Sequence, residues 1–181
     1  SKKEGAVAAY IRERIHALGL FVEEDDAGDH LDGETGNLLV KVPGSVEPPL
    51  LLTAHMDTVS MATGYPDCVN VIITDGVVHT DHKSPLGADD KAGLAIALEL
   101  LHHKCECADV LRPLELVFTV QEEIGARGAN YFDTSSIQAE HGFVLDGDTP
   151  VGTVIVRSPQ KFKYELLVRG CAAHAALEPE K

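Results

Sequence analysis

The sequence has few basic residues and no long hydrophobic run, and each shortage excludes a class of protein. Lysine and arginine number 15 against 29 acidic residues, which gives a formal net charge of -14 at pH 7. No basic run is long enough to follow a nucleic-acid backbone, so nucleic-acid binding is excluded. No apolar run approaches the roughly 20 residues of a membrane-spanning helix, and the opening SKKEGAVAAYIRERI is too polar for a signal peptide.

Cysteine is also scarce. Cys68, Cys105, Cys107 and Cys171 are scattered and do not have the spacing of a disulfide framework. The pair Cys105 and Cys107 lacks the second pair that a zinc ribbon requires. We therefore interpret the four as reduced thiols in a reducing compartment, which predicts a cytoplasmic protein without membrane partners.

Hydrophobic periodicity predicts strands that alternate with helices. Apolar residues recur at helical spacing from Val7 to Leu18, and a second helix is predicted in DKAGLAIALELLHHK. The segment VNVIITDGVVHT is predicted to form a hairpin about Asp75 and Gly76. NLLVKV and LLLTA are predicted to be paired strands, and LELVFTV and HGFVLD to be buried strands separated by a helix at ARGANYF.

This order of elements predicts an α/β fold with a mixed, largely parallel sheet flanked by helices. The pattern changes near Pro159, after which FKYELLVRG alternates polar and apolar residues like the first strand of a new domain. We therefore expect a first domain over residues 1–158 and the start of a second over residues 159–181. The second part is too short to bury a core, which indicates a fragment of a larger protein.

Acidic residues and a histidine cluster near the ends of these predicted elements. Three clusters follow predicted strands and one precedes the second helix, so all four are expected at one edge of the sheet. The clusters are His55 with Asp57, Asp89 with Asp90, Glu122 with Glu123, and Asp146. Each cluster alone is ordinary: a polar strand end, a helix cap, a solvated acidic pair or a turn. Only their convergence indicates a site.

Carboxylates that converge repel one another unless a multivalent cation lies among them. One imidazole with several carboxylates suits zinc, with cobalt and manganese as alternatives. In an adjacent pair such as Glu122 and Glu123, one side chain can bind a metal while the other transfers a proton. That division of roles is what metal-assisted hydrolysis requires.

Four motifs, TAHMDTV, LGADDKAG, QEEIGARGA and LDGD, resemble in this order the catalytic domain of the co-catalytic zinc exopeptidases. The residues of these motifs most resemble those of the tripeptide aminopeptidases of this family, the peptidase T group. RGCAAHAALEPEK resembles the beginning of the family's lid or dimerisation domain. The resemblance implies a short peptide as substrate, two zinc ions in the complete enzyme and a homodimer formed through the lid.

The resemblance also assigns residues to the metal ions. It implies that His55 and Asp146 bind one ion, that Asp89 bridges both, and that Glu123 binds the other. The family's fifth ligand, a histidine, would lie beyond Lys181. The second site is therefore expected to be incomplete in this chain, which should be inactive or nearly so.

The resemblance implies catalytic roles as well. Glu122 would be the general base, Asp57 would orient the metal-binding histidine, and His174 would reach a substrate carbonyl oxygen. Asp89 and Asp90 would be joined by a cis peptide bond. In the family a glycine is common where Ala176 stands, so the lid geometry can differ here.

The expected function is thus metal-dependent hydrolysis of a peptide bond next to a free amino end. An acyl-amino-acid amidohydrolase or a carboxypeptidase with the same metal core is one alternative, because the groups that distinguish substrate ends would lie largely in the lid. A metal-binding assembly module without catalysis is another. A phosphoesterase is disfavoured because no cluster of arginine or lysine is available to hold a phosphate.

Overall fold

The computed structural model describes residues 1–59, 69–107 and 112–157, together with residues 162, 164–167 and 169. The chain divides into two compact units, Ser1–Asp148 and Thr149–Lys181. The predicted domain boundary at Pro159 lies outside the described residues and stays a prediction. In FKYELLVRG, residues 162, 164–167 and 169 form no strand, because no partner strand is present among the described residues of that unit.

The described residues of the first unit form a five-stranded mixed sheet, a separate two-stranded hairpin and three α-helices. The elements are α1 (Gly5–Ala17), β1 (Glu23–Glu24), α2 (Ala27–Leu31), β2 (Leu38–Val42), β3 (Leu50–His55), β4 (Val71–Thr74), β5 (Val77–Thr80), α3 (Ala88–Glu106), β6 (Leu114–Thr119) and β7 (His141–Val144). The order in the large sheet is β1-β2-β6-β3-β7. The predicted α/β class with a mixed sheet is confirmed. Among the described residues, no helix combines the length and apolarity needed to span a membrane.

Strand β6 lies at the centre of the sheet. It runs antiparallel to β2 and parallel to β3, with Leu116 opposite both Val40 and Leu52. The predicted direct pairing of β2 with β3 is therefore wrong. Five of the six residues of β6 are buried, as expected for a strand that is covered on both faces. Such a strand takes the central position even though it comes much later in the chain.

Strand β7 pairs in parallel with β3 and forms an edge among the described strands. It was expected to be buried, but all four of its residues are exposed, with Phe143 at 47% and Val144 at 72%. That expectation is wrong because an edge strand is buried only where other elements cover its faces. The helix predicted at ARGANYF is reduced to a single 3-10 turn, Gly128–Asn130.

The two long helices contribute to one hydrophobic core with the central strands. Ile11 and Ile15 of α1, and Leu101 of α3, are buried together with Leu116 and Phe118 of β6. Both helices were predicted from their apolar spacing. The β4–β5 hairpin was also predicted, and its two turn residues both have positive φ angles, 52° at Asp75 and 77° at Gly76, as the favoured two-residue turn requires.

Candidate metal centre

The site lies where the three parallel strands of the sheet end. Strands β6, β3 and β7 are neighbours and run in the same direction, so their carboxyl ends meet at one edge. His55 is the last residue of β3, Glu122 and Glu123 follow β6, and Asp146 follows β7. Asp89 reaches the same place from the beginning of α3. The structure therefore brings these residues together at one edge of the sheet, as the sequence predicted.

The imidazole of His55 is buried, with 2% of the side chain exposed, and it contacts carboxylates through both ring nitrogens. Its Nε2 lies 2.8 Å from Asp89 Oδ1 and 3.9 Å from Asp146 Oδ1, and its Nδ1 lies 3.2 Å from Asp57 Oδ1. Burial alone lowers the pKa of His55, but Asp57 and Asp89 outweigh burial and raise it to about 9. In neutral His55, an Nδ1–H facing Asp57 leaves the Nε2 lone pair facing the other carboxylates.

Asp57 links the segment that follows β3 to the segment that follows β6. Its fully buried carboxylate accepts hydrogen bonds from the backbone N–H of Glu122 (2.8 Å) and of Glu123 (3.2 Å), and from the hydroxyl of Ser1 (2.6 Å). Burial opposes ionisation, but His55 and these donors lower the pKa of Asp57 well below its usual value. One carboxylate thus fixes the imidazole and the backbone of both glutamates.

Asp89 and Asp90 are joined by a cis peptide bond, as the family resemblance implied. Their side chains have different surroundings, because Asp89 is 68% exposed whereas Asp90 is buried. Asp90 Oδ2 accepts from the backbone N–H of His55 (3.1 Å), and its Oδ1 accepts from Gly93 N–H (3.0 Å). Asp90 therefore caps the regular part of α3 and ties it to the end of β3.

Two sets of three side chains have ligand atoms close enough to share a cation. The ligand atoms of His55, Asp89 and Glu123 all lie within 4.8 Å of one another, and so do those of His55, Glu122 and Asp146. Burial and the nearby Asp89 carboxylate raise the pKa of Asp146 to about 6, which shows the cost of collecting these acids without a cation. The donor set, one imidazole nitrogen and carboxylate oxygens, fits zinc, cobalt or manganese.

The structure adds one alternative to the expected roles. Glu122, expected to be the base, lies as close to His55 and Asp146 as a third ligand would. His174, expected to reach the substrate, lies outside the described residues, and so does the rest of the AHA motif. The roles of all seven predicted site residues therefore stay predictions, although six of them are near one another.

Two residues that support the site escaped the sequence interpretation. For Asp90 the sequence predicted a place in a helix cap and in the cis peptide bond, and it gave Lys91 no role in the site. Lys91 Nζ donates to the backbone carbonyls of Met56 (2.8 Å) and Asp57 (3.3 Å). The one available signal was their position directly after Asp89, because their contacts with His55, Met56 and Asp57 reach backbone atoms more than 30 residues away.

Comparison with known proteins gives consistent matches. A family model described as M42 glutamyl aminopeptidase matches residues 71–154. The uncharacterized Bacillus subtilis protein YqjE is 37% identical over 182 residues, which cover 100% of this chain and 48% of YqjE. This chain is thus similar throughout to one half of a longer protein.

Two solved structures are similar in sequence and in fold. A tripeptidase from Staphylococcus aureus, SAV1512, is 35% identical with a TM-score of 0.72, and the match covers 84% of this chain and 41% of that one. The aminopeptidase PepT from Bacillus cereus is 34% identical with a TM-score of 0.72, and the match covers 84% and 40%. The chain therefore spans less than half the length of each of these proteins.

Proposed function

We propose that this chain, whose resemblance to the co-catalytic zinc exopeptidases is confirmed by its relatives, carries most of the metal centre of an aminopeptidase for short peptides. The observation that carries the proposal is the convergence of His55, Asp89, Glu122, Glu123 and Asp146 at the ends of three adjacent parallel strands. The family match and the two similar peptidase structures supply the reaction class. The activity belongs to the complete protein.

In this proposal His55, Asp89, Glu123 and Asp146 would hold two zinc ions, and the rest of the protein would supply the fifth ligand. Bound zinc would polarise the scissile carbonyl and lower the pKa of water. Asp57 Oδ1 lies 3.2 Å from His55 Nδ1 and would favour a proton there, which would leave Nε2 free to bind an ion. Glu122 takes a proton from the attacking water and passes it to the leaving amine. The resemblance gives His174 the role of stabilising the oxyanion.

The proposed function is tested with a substrate panel on the complete, zinc-loaded protein. Tripeptides with a free amino end should be hydrolysed faster than amino-blocked dipeptides and acyl amino acids, and EDTA should stop the reaction. A preference for acyl amino acids would indicate an amidohydrolase, and release of carboxyl-terminal residues would indicate a carboxypeptidase. Zinc uptake without hydrolysis of any substrate would indicate the non-catalytic module.

We also propose that the complete protein is cytoplasmic and forms a homodimer. The scattered thiols support a cytoplasmic enzyme, which fractionation of the source cells would check. The homodimer through the lid is tested by light scattering on the complete protein. A monomer at micromolar concentration would reject the dimer without affecting the assignment of the metal centre.

Metal binding should release about one proton at pH 7.5, because the metal-free site holds His55 with a pKa of about 9 and binding requires the neutral imidazole. Zinc affinity should therefore rise about tenfold per pH unit between pH 7 and 9 and level off above that range. Conversely, the protonated imidazole stabilises the metal-free fold below pH 6.5, and this contribution is lost as the pH rises through 9. Titration calorimetry in buffers of different ionisation enthalpy measures the release.

A matched pair of variants controls this measurement. His55→Gln should abolish both tight binding and its pH slope. His16→Gln, at an exposed position near the end of α1, should leave both unchanged. Zinc binding without proton release at pH 7.5 would show that His55 is not protonated in the metal-free protein.

A further inference from the structure

We propose that Lys91 is a positioning residue of the metal centre, which fixes the loop after β3 against the beginning of α3. The inference rests on the proposed function for its consequence in catalysis, but its structural part stands on contacts alone. Lys91 is half-buried, and its ammonium donates to the backbone carbonyls of Met56 and Asp57. These are the two residues that directly follow His55.

Lys91 is one of several contacts that hold the loop after β3, because the N-terminal amino group donates to Thr58 O at 3.1 Å and the Asp57 carboxylate accepts from the backbone after β6. Met56 N–H bonds to Thr119 O of β6 at 2.7 Å, which ends the ladder between the two strands. The carbonyls of Met56 and Asp57 both accept hydrogen bonds from the Lys91 ammonium. A buried carbonyl without a donor costs free energy, so the ammonium stabilises the path of the chain at this point.

Three polar contacts together join three of the four segments that carry the ligands. Asp90 ties the beginning of α3 to His55 N–H, Lys91 ties it to the following loop, and Asp57 ties that loop to the backbone after β6. Because Asp57 holds both the imidazole and the two glutamate N–H groups, a shift of its backbone moves ligands on both sides. Lys91 therefore acts on the metal through the position of Asp57.

A purely electrostatic role is the rival explanation. Lys91 lies among the carboxylates of Asp57, Asp89, Asp90 and Glu4, so its charge could merely offset their repulsion. The two roles differ in what they predict for backbone order. Loss of a tether loosens the Glu122 and Glu123 amides, which bond to Asp57, whereas loss of charge alone leaves those amides protected.

The test uses the complete protein with Lys91→Met, which keeps the apolar stem but removes the donor. Lys41→Met is the matched control, because Lys41 also donates to a backbone carbonyl, that of Ser136, outside the metal centre. We expect Co²⁺ affinity and kcat to fall by about 10- to 100-fold, with KM changed far less and with an altered visible spectrum of bound Co²⁺. Lys41→Met should match the wild type in each measurement.

Amide hydrogen exchange on the metal-free protein separates the two roles. Exchange at Glu122 and Glu123 should become at least about tenfold faster in Lys91→Met, as expected when an opening costs about 1.4 kcal/mol less. Lys91→Arg, which retains donors and charge, should restore most of the protection and also serves if Lys91→Met does not fold. Unchanged exchange in Lys91→Met would overturn the proposal, and a lower Co²⁺ affinity with unchanged exchange would indicate the purely electrostatic role. Because neither readout needs hydrolysis, both remain informative if the peptidase assignment fails.

Discussion

Glu122→Gln in the complete protein is expected to lower peptide hydrolysis by roughly 10²- to 10⁴-fold, the usual contribution of general acid–base catalysis. The amide is nearly the same size as the carboxylate but cannot accept the proton of the attacking water. The backbone N–H of Glu122 still bonds to Asp57, so the loop should keep its conformation. Zinc content, measured by elemental analysis, should therefore equal that of the wild type.

Glu123→Gln is the matched control because it alters the neighbouring carboxylate, whose backbone N–H bonds to the same side chain. Its expected defect is the opposite one, weaker retention of zinc. The structure also allows the two glutamates to have the opposite roles, because Glu122 lies as close to His55 and Asp146 as a third metal ligand would. Loss of zinc from Glu122→Gln together with retention in Glu123→Gln would show that the base and the ligand have been assigned in reverse.

The parts of the fold that sequence predicts well are those set by local interactions. The helical spacing of Ile11 and Ile15, and the turn at Asp75 and Gly76, depend on residues a few positions apart, and both elements form as expected. Strand neighbours depend on contacts across the whole chain. An apolar run such as that of β6 indicates that the strand is buried, but it does not indicate that the strand lies between β2 and β3.

The prediction that β7 is buried was wrong for a related reason. Its sequence is apolar around Phe143 and Val144, and an apolar run is compatible with either a central or an edge strand. What decides the exposure is whether other elements cover the strand, and this information is not contained in the strand itself.

The candidate site could be predicted because residues that follow parallel strands lie at the same edge of the sheet, even when they are far apart in the sequence. His55 and Asp146 each fall at a strand end, so knowing that the strands are parallel is enough to bring them together. The supporting contacts could not be predicted in this way. Asp57 binds backbone N–H groups more than 60 residues away, and backbone atoms carry no residue-specific signal in the sequence.

Asp57→Ala is expected to destabilise the complete protein by about 3–5 kcal/mol, the usual cost of removing one partner from a buried ion pair. The substitution leaves the His55 imidazole without its Nδ1 partner and leaves the N–H groups of Glu122 and Glu123 without an acceptor. Chemical denaturation measures the loss. Zinc affinity should fall as well, because the imidazole and both glutamates are no longer held.

Asp133→Ala is the appropriate control for this effect. Asp133 also accepts a hydrogen bond from a backbone N–H, that of Ser135 at 3.0 Å, but it is exposed, so its loss should destabilise the protein far less than the loss of Asp57. The pH dependence gives a second check. Because the folded protein lowers the pKa of Asp57, its contribution is present above the unfolded value of about 3.9 and is lost as the pH falls below it. The difference between Asp57→Ala and the wild type should therefore shrink in acid, and a difference independent of pH would indicate that the carboxylate acts only by filling space.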